Sequence, residues 1–444
     1  NIPNFEEVHP EGPVSNLPFS ISVKENNLWV VYGGYDGAYA PRNTAYSFDH
    51  YNGDTWINTP YKSFNVTNLV NITFDPNNID KVYISSYGNG MLVVENNEVI
   101  EHWTHLNSGL EWRTRINGAA FDTEGNLWIA NSWVDKRIKK YGFDGSWSEF
   151  DMSSVMTNPA LGLGELIVDK TSNIWVASRR NGALIFNENG NKKRALTTES
   201  TKGSLPDPNV RALAVDDNNR IWIGTQKGLV VLYNAATVLS DAIVDAEPII
   251  ILDESGIPKK LLGDQAINSI EVDGANNKWF GTSNGGVLKT NSDGTETLHT
   301  FNINNSPLPS NSILKIAVDK NSGKAYFATS KGIVAYNSDV AVYGDTLTEV
   351  YAYPNPSKKE NEFITIDGRN GAHLPKGTNI KILDTAGNLV FETNIREGQE
   401  SLGGKVVWNK TNLAGRKVAS GIYIVLLIDN KKQKTSITKI AIIN

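Results

Sequence analysis

The sequence has no cysteine among its 444 residues. This absence excludes disulfide scaffolds, thiolate zinc sites, iron–sulfur clusters and cysteine nucleophiles. Long apolar runs are missing as well, since the longest covers about seven residues, 422–428, against the roughly 20 that a membrane helix requires. The composition therefore favours a folded chain that uses neither disulfides nor a membrane helix.

An excess of positive charge is also missing. The chain has 42 Lys and Arg against 48 Asp and Glu, a formal net charge of −6. This balance argues against a general nucleic-acid or anionic-membrane binder, although it allows a local basic patch. The chain begins at Asn1 without an initiator Met or a signal peptide. We therefore expect a mature or truncated piece of a longer protein.

What the sequence does contain is an internal repeat. Each copy reads as an alternating apolar strand that ends in Asp, a polar turn, and an aromatic residue between apolar residues, as in 213–216 followed by 221–223. The first copy has Lys24 where the others have Asp. The seven marker aromatics are spaced 45 to 57 residues apart: Trp29, Tyr83, Trp128, Trp175, Trp222, Trp279 and Tyr326.

A period near 47 residues made of short strands predicts a β-propeller of four-stranded blades. Each marker aromatic is large enough to fill the wedge between neighbouring blades. Each Asp-rich turn is suited to reversing the chain between the two inner strands. The alternative is a β-sandwich with accidental similarity between segments, which seven in-phase copies disfavour.

The ends of the repeat array indicate how the ring closes and where a second domain begins. Residues 4–8 precede the first copy as an outer strand would, so we predict that they complete the last blade. Residues 1–343 are predicted to form the seven-bladed propeller. In residues 344–444 the repeat stops, and six or seven short strands predict a small Ig-like β-sandwich. The predicted fold class is all-β.

Motifs of catalysis and metal binding are scarce. There is no Gly-x-Ser-x-Gly elbow, and residues 398–405 lack the Lys and Ser or Thr of a phosphate-binding loop. His102 and His105 are three apart, which on a strand places them on opposite faces. The repeated Asp is better read as a turn residue than as a sialidase Asp box. We therefore predict no enzymatic activity, no metal and no cofactor.

Departures from the repeat indicate a candidate ligand-binding patch. Loops 33–43 and 131–137 replace the short glycine turn between strands 2 and 3 of the other copies, and segments 111–115 and 178–181 adjoin them. Aromatic rings offer stacking faces for sugars, and Arg offers forked donors for phosphate or carboxylate. The alternative is a set of ordinary solvated loops. The predicted patch for an anionic glycan comprises Tyr35, Tyr39, Arg42, Trp112, Arg113, Arg115, Trp133, Lys136, Arg137, Arg179 and Arg180.

A long insertion follows the fifth copy, at residues 235–264. It contains an apolar run at 248–252, three acidic residues and the pair Lys259 and Lys260. We expect this insertion to form an extended outer hairpin. The alternative is that it forms a docking surface for another protein.

The last hundred residues carry a recognisable series of motifs. These are YPNP at 353–356, LPKG at 374–377, ILDTAG at 382–387, Trp408 with NLAG at 412–415, SGIY at 420–423 and KIAII at 439–443. In this order they resemble the type A C-terminal domain carried by substrates of the bacterial type IX secretion system. The resemblance implies an exported protein, because that domain is an outer-membrane translocation signal.

Residues 272–311 resemble propellers of the two-component-regulator type. Such a propeller followed by this C-terminal domain resembles the PorZ-like surface components of the type IX secretion system. The resemblance implies an outer-membrane-associated location, a retained C-terminal domain, partners of the PorU, PorV and PorQ type, and binding of anionic lipopolysaccharide. Those proteins carry two propellers, so this chain is expected to be a C-terminal fragment.

Two alternatives stay open. The chain could be a secreted cargo that binds or processes carbohydrate, with the C-terminal domain serving only as an export signal. A periplasmic sensor module of a hybrid regulator ranks last, because the sequence ends in a sorting-type sandwich without a membrane span. The glycan, the cleavage of the C-terminal domain and the oligomeric state are not predicted.

Overall fold

The computed structural model describes residues 11–252, 255–338, 340–395 and 402–443. Over these ranges the regular structure is β-strand apart from three short 3₁₀ helices, at Tyr61–Ser63, Ala235–Thr237 and Arg369–Gly371. A helix long and apolar enough to cross a membrane is not found among the described residues.

Seven antiparallel sheets follow one another along the described part of the propeller. Blades 1 and 2 contain β1 (Ser20–Lys24), β2 (Asn27–Val31), β3 (Phe48–Tyr51), β4 (Trp56–Thr59), β5 (Leu69–Phe74), β6 (Lys81–Ser86), β7 (Gly90–Glu95) and β8 (Glu98–Trp103). Blades 3 and 4 contain β9 (Arg115–Phe121), β10 (Leu127–Ser132), β11 (Ile138–Tyr141), β12 (Trp147–Phe150), β13 (Leu163–Val168), β14 (Ile174–Ser178), β15 (Ala183–Asn187) and β16 (Lys192–Leu196).

The remaining blades are built less uniformly. Blade 5 and its insertion contain β17 (Lys202–Gly203), β18 (Val210–Val215), β19 (Ile221–Thr225), β20 (Gly228–Leu232), β21 (Val244–Asp245), β22 (Ile250–Leu252) and β23 (Pro258–Lys260). Blades 6 and 7 contain β24 (Ile267–Val272), β25 (Lys278–Thr282), β26 (Val287–Thr290), β27 (Thr297–Phe301), β28 (Ile313–Val318), β29 (Lys324–Thr329) and β30 (Gly332–Asn337).

The innermost strands close into a ring around a central channel. Each of β1, β5, β9, β13, β18, β24 and β28 contacts the next, and β28 contacts β1. This arrangement confirms the prediction of a seven-bladed propeller.

The marker aromatics occupy the wedges between blades, as predicted. Trp175 of blade 4 is buried against Val210 and Ile223 of blade 5. Tyr326 of the last blade is buried with Ile21 and Val30 of the first. The hydrophobic core is therefore divided into interfaces between neighbouring blades, and the last of these interfaces joins the two ends of the array.

In blades 3 to 6 the repeated Asp ties the turn to its marker Trp. Oδ1 of Asp216 accepts the backbone N–H groups of Asn218 and Arg220, each at 2.9 Å. Its Oδ2 accepts the indole N–H of Trp222 at 3.0 Å. One carboxylate thus closes the turn and orients the ring that fills the wedge. The same indole-to-carboxylate bond joins Trp128 to Asp122, Trp175 to Asp169 and Trp279 to Asp273, at 2.8, 2.9 and 3.1 Å.

Blades 1, 2 and 7 depart from this rule, because blade 1 has Lys24 in the Asp position and blades 2 and 7 have Tyr83 and Tyr326 in place of Trp. With Lys24 in place of Asp, the buried indole N–H of Trp29 has no hydrogen-bond partner among the described residues. Its ring stacks on His50 at 4.3 Å instead. Asp319 of the last blade accepts the backbone N–H groups of Glu25 and Asn26 at 3.2 and 3.1 Å. This carboxylate links blade 7 to blade 1.

Among the described residues, the sheets of blades 5 and 7 have three strands each. Residues 4–8, the predicted closing strand, lie outside the described residues. In blade 5 the outer position is taken from the insertion, where Glu247 and Val231 exchange two backbone hydrogen bonds of 2.8 Å. Strands β22 and β23 pair as an antiparallel hairpin, so the insertion contains the predicted outer hairpin.

The C-terminal domain is a two-sheet β-sandwich, as predicted. Trp408 and Val425 lie fully buried between the sheets with Ile366 and Ile382. One sheet has the order β31-β32-β35 and the other β34-β33-β36-β37. The strands are β31 (Val350–Tyr353), β32 (Ile364–Gly368), β33 (Asn379–Leu383), β34 (Leu389–Asn394), β35 (Val406–Trp408), β36 (Gly421–Asp429) and β37 (Lys434–Ile442).

The connection between the domains is held in place by backbone pairing. The amide of Ala341 donates to the carbonyl of Leu402 at 3.0 Å, and that of Gly344 donates to Leu374 at 3.0 Å. A Cβ on Gly274, in a turn of blade 6, would lie 2.6 Å from the backbone nitrogen of Val342. The chain therefore pairs with the sandwich from Ala341 onward, which is before the predicted domain boundary. The domain boundary between residues 343 and 344 stays a prediction.

Candidate ligand-binding site

Two cavities occupy the central channel. The first, called here the mouth cavity, has a volume of about 370 Å³ and lies on the face formed by the strand 2–3 loops. The second has a volume of about 310 Å³ and lies further along the innermost strands. Asn71, Glu165 and Lys315 line both cavities and mark the boundary between them.

β-Bulges direct side chains into the mouth cavity. The pairing of the two inner strands is interrupted at one equivalent place in blades 2 to 7. In blade 5, for example, Val210 and Ala212 face consecutive residues of β19, and Arg211 between them is the extra residue. Such bulges re-aim side chains. The bulged segments provide Val70, Asn117, Glu165, Arg211, Asn268 and Leu314 to the cavity lining.

An ion-pair cluster lies where the cavities meet. The ammonium of Lys315 is 2.6 Å from Oε1 of Glu165 and 3.6 Å from Oε1 of Glu271. Burial alone would lower the pKa of Lys315, but the two carboxylates outweigh it and raise that pKa above its ordinary value. Burial also raises the pKa of Glu271, against the opposing effect of Lys315. Charge at the centre of the channel is therefore compensated from within.

Replacing Lys315 with Met is expected to lower the free energy of unfolding by about 3 kcal/mol at neutral pH, because two enclosed carboxylates lose their cation. Without the ammonium, the already raised pKa of Glu271 rises further. The folded state then binds more protons than the unfolded state, so stability increases as the pH falls through that pKa. Chemical denaturation at pH 5 and pH 8 measures this trend.

The matched control for this variant adds Glu271→Gln, which removes the uncompensated charge. The double variant is expected to recover part of the loss at pH 8. A loss that is equal at both pH values and is not recovered by Glu271→Gln would contradict the assigned ion pair.

Stacked tyrosines form one wall of the mouth cavity. The rings of Tyr35 and Tyr39 stack at 4.6 Å, and the ring of Tyr87 lies 4.8 Å from that of Tyr35. The side-chain amide of Asn117 donates to the Tyr35 hydroxyl at 2.7 Å. Burial raises the pKa of Tyr39 to about 12. These tyrosines are therefore neutral at physiological pH. Tyr39 and Tyr87 are buried and support the ring of Tyr35, which is partly exposed at the cavity.

Three guanidinium groups adjoin this wall. Arg42 and Arg211 line the cavity, and Nη1 of Arg179 donates to the carbonyl of Ala38 at 3.4 Å in the same loop. Nη1 of Arg211 donates to Gln226 at 2.7 Å. Within the described residues none of the three forms an ion pair with a carboxylate within 4 Å. They are thus available to an anionic ligand.

Asp36 supplies one negative charge beside these arginines. Backbone N–H groups of Ala40 and Ala38 lower its pKa, and the charges of Arg179 and Arg42 add to that effect. Asp36 is therefore ionised and caps its own loop. The guanidinium groups still outnumber it at the mouth.

The structure brings together four of the predicted patch residues. Tyr35, Tyr39 and Arg42 line the mouth cavity, and Arg179 lies at its rim. Arg180 is exposed and is not part of the cavity lining. The remaining predicted residues lie on blade 3.

On blade 3 the predicted residues form two cation–π pairs. Arg113 lies 4.5 Å from the ring of Trp112, which is 67% exposed, and Arg115 lies 5.4 Å from the half-buried ring of Trp133. On an extended strand, Arg113 and Arg115 would lie on one side, because side chains alternate between faces. However, β9 begins only at Arg115, whose amide donates to the carbonyl of Arg113 at 2.8 Å. A tight turn therefore stands where an extended strand would be needed.

Lys136 and Arg137 belong to an ion-pair network along blade 3. The ammonium of Lys136 contacts the carboxylate of Glu149, which also pairs with buried Lys139 at 2.9 Å. Arg137 is buried and lies 3.6 Å from Asp151. Both cations are compensated within their own blade and do not line the mouth cavity.

Sequence reasoning missed several residues of the cavity. Arg211 and Lys315 stand at the bulges of inner strands, whereas the predicted patch consists of residues from irregular loops. The sequence signal for both residues is a charged side chain within an otherwise apolar strand, and in each case that strand leads to the Asp of the turn. The missed polar residues are Ser20, Asp36, Asn71, Asn117, Glu165, Asn209, Arg211, Gln226, Asn268 and Lys315.

Among the described residues, no group of three or more His, Asp or Glu side chains is placed so that it could hold a metal ion. The site is instead a polar cavity with aromatic and guanidinium groups. Such a lining is suited to binding a hydroxyl-rich anion.

Comparison with known proteins adds two family matches. A model of the secretion system C-terminal sorting domain matches residues 351–444. A model of the two component regulator propeller matches residues 204–227. The chain therefore ends in a sorting domain, which indicates an exported protein. Among curated protein sequences no match was found.

A solved structure aligns over nearly the whole chain. It is PorZ, an essential bacterial surface component of the type-IX secretion system of Porphyromonas gingivalis, with 26% identity and a TM-score of 0.69. The alignment covers 99% of this chain and 61% of PorZ. The chain resembles PorZ. It spans less than two thirds of the PorZ chain, and the sorting domain stands at its C-terminal end.

Two further structures are similar in fold. The extracellular domain of a protein described as a hybrid two component system from B. thetaiotaomicron has 16% identity and a TM-score of 0.53, covering 96% of this chain and 52% of its own. Virginiamycin B lyase from Staphylococcus aureus has 12% identity and a TM-score of 0.50, covering 73% of this chain and 96% of its own. At these identities the likeness concerns the fold alone.

Proposed function

We propose that the chain is a non-catalytic, outer-membrane-associated surface component of the type IX secretion system, which binds anionic lipopolysaccharide and docks to the sortase-containing attachment complex. Its resemblance to PorZ and its sorting domain support a place in this secretion system. The observation that carries the binding role is the mouth cavity, where stacked Tyr35 and Tyr39 adjoin three arginines without carboxylate partners.

The chemistry of the cavity matches an acidic sugar. Aromatic faces stack on sugar rings, side-chain amides exchange hydrogen bonds with hydroxyl groups, and guanidinium groups bind carboxylate or phosphate in a forked geometry. All three kinds of group line the one cavity, as Tyr35, Asn268 and Arg211 illustrate. The direct test is a titration of the purified chain with anionic lipopolysaccharide and with a neutral polysaccharide. Selective binding of the anionic glycan supports the proposal, and equal or absent binding contradicts it.

The alternative of a carbohydrate-processing cargo would be favoured by free carboxylates in the channel. Glu165 and Glu271 do converge there, but Lys315 pairs with both of them. This is the arrangement of a structural ion pair rather than of an acid and a base poised for catalysis. We therefore favour the non-catalytic role.

The sandwich offers a surface for docking. Strand β36 is apolar on both faces, whereas an antiparallel strand with one solvated face normally alternates with polar residues. Tyr423, Val425 and Leu427 face the core. The register of the sheet places the following residues together on the opposite face: Leu383, Ile422, Ile424, Leu426, Ile428 and Ile437. Because this outer face belongs to the domain that the sorting model matches, we assign it to the attachment complex.

Replacing Ile422 and Ile437 with Glu is expected to weaken binding to purified attachment-complex proteins by about tenfold or more, because charges are introduced into an apolar interface. These side chains are 54% and 61% exposed, so the stability of the sandwich is expected to change by no more than about 0.5 kcal/mol. Surface-immobilised binding measures the first effect and thermal unfolding the second. Phe363→Glu, at an exposed apolar residue near the other sheet, serves as the control. Equal losses in both variants would overturn the assignment of this face.

A further inference from the structure

We propose that the mouth cavity binds the acidic terminal sugar of a polysaccharide chain end-on, rather than a stretch in the middle of the chain. This inference rests on the proposed function, because it specifies which part of an anionic glycan the site takes. Three features of the cavity carry it: a closed floor, a restricted volume and a lining that matches a single acidic sugar.

The floor of the cavity is closed by the ion pair at the centre of the channel. Lys315 reaches across to Glu165 at 2.6 Å, and each of these side chains borders both cavities. A glycan that enters from the loop face therefore meets charged side chains that are already paired. A polysaccharide cannot pass through the channel unless this ion pair is broken, which leaves charges uncompensated.

The volume of the cavity limits how much of a glycan can enter. At about 370 Å³ it lies near the lower end of the range of about 300–1,000 Å³ that is typical of small-molecule sites. A site of this size accommodates one or two sugar units. The rest of the chain must then leave through the opening by which it entered.

The lining matches a terminal sugar in particular. Five side-chain amides line the cavity, and amides can exchange hydrogen bonds with the hydroxyl groups of a sugar. They belong to Asn71, Asn117, Asn209, Gln226 and Asn268. Arg211, at the bulge of β18, donates to the neutral amide of Gln226 and so retains its charge for an acidic substituent. The cavity therefore offers hydroxyl recognition, ring stacking and anion recognition within one enclosed space.

The probes for the experiment are galacturonate disaccharide, an oligogalacturonate of about ten units, and the disaccharide with its carboxylates reduced to alcohols. Calorimetric titration gives both the affinity and the stoichiometry for each. End-on binding predicts one protein per chain and affinities within about threefold for the short and long acidic probes. The reduced disaccharide is expected to bind at least about tenfold more weakly, because it loses its charge-assisted hydrogen bonds. Asn209→Ala is expected to weaken both acidic probes by about the same factor, up to tenfold.

The outcomes separate this inference from the proposed function. If anionic lipopolysaccharide binds but affinity and stoichiometry rise with chain length, a groove for mid-chain segments is present and the end-on inference fails. If lipopolysaccharide binds and neither galacturonate probe does, the inference also fails, while the proposed function stands. If no anionic glycan binds, both fail. Thermal unfolding of the Asn209→Ala variant verifies that a loss of affinity does not come from a loss of folding.

Discussion

Replacing Asp216 with Ala is expected to lower the free energy of unfolding of the propeller by about 3–5 kcal/mol. The carboxylate is buried and accepts hydrogen bonds from its own turn and from Trp222. It also pairs with Arg220 at 2.6 Å and lies 3.4 Å from the buried ammonium of Lys278 on the next blade. The substitution therefore removes a turn closure and a charge that two enclosed cations need.

The pH dependence of this effect follows from the pKa of Asp216. Burial alone would raise it, but Lys278 and hydrogen bonds from Trp222 and Arg220 hold it below its ordinary value. A lowered pKa in the folded state means that the stabilisation is complete above the unfolded-state pKa of about 3.9 and is lost as the pH falls further. The difference in stability between wild type and Asp216→Ala is thus expected to be full at pH 7 and to narrow at pH 3.

Asp169→Ala is the matched control. Asp169 makes the same bonds to its turn and to Trp175, but it forms no ion pair within 4 Å in the described structure. Loss of these hydrogen bonds, whose donors are all neutral, is expected to cost about 1–3 kcal/mol. Chemical denaturation of both variants measures the two losses. Equal losses would show that the charges around Asp216 do not contribute as described.

The propeller could be predicted from sequence because one residue pair recurs in four of its blades, blades 3 to 6. The Asp that closes a turn also orients the Trp six positions later, so turn, strand and blade interface leave a joint pattern, as in Asp216 and Trp222. The first copy shows the limit of this rule. With Lys24 in the Asp position, Trp29 stacks on His50 instead, and that contact depends on the pairing of β2 with β3.

The candidate site was predicted only in part, for two physical reasons. Irregular loops contain Tyr35, Tyr39, Arg42 and Arg179, and these residues do gather at the mouth. Arg211 was missed because its orientation depends on a β-bulge, which interrupts the alternation that sequence patterns can reveal.

The second reason is that charges in a sequence do not show their partners. Lys136 and Arg137 were included in the predicted patch as free cations. In the fold Lys136 pairs with Glu149, on the outer strand of blade 3. Arg137 pairs with Asp151, which directly follows that strand. Pairing across strands therefore removes two of the predicted residues from the cavity.

Removing Arg179 and Arg211 together is expected to weaken binding of anionic lipopolysaccharide by about 100-fold or more. Each hydrogen bond between a guanidinium and an anion contributes about 1.5–3 kcal/mol, or roughly a factor of 10 to 100 in affinity. Among the described residues each side chain donates one hydrogen bond to a neutral group, Ala38 or Gln226, so its removal is expected to leave stability nearly unchanged. The effect should diminish at high salt, because added ions screen the remaining attraction.

The most direct test of the account is this affinity, compared between Arg179→Ala/Arg211→Ala and Arg113→Ala/Arg180→Ala. Both double variants remove two positive charges from the propeller, but only the first pair adjoins the mouth cavity. Calorimetric titration with anionic lipopolysaccharide is expected to show a loss of about 100-fold or more for the first pair and less than about threefold for the second. A similar loss for both pairs, or a larger loss for Arg113 and Arg180, would contradict the placement of the glycan site at the mouth of the channel.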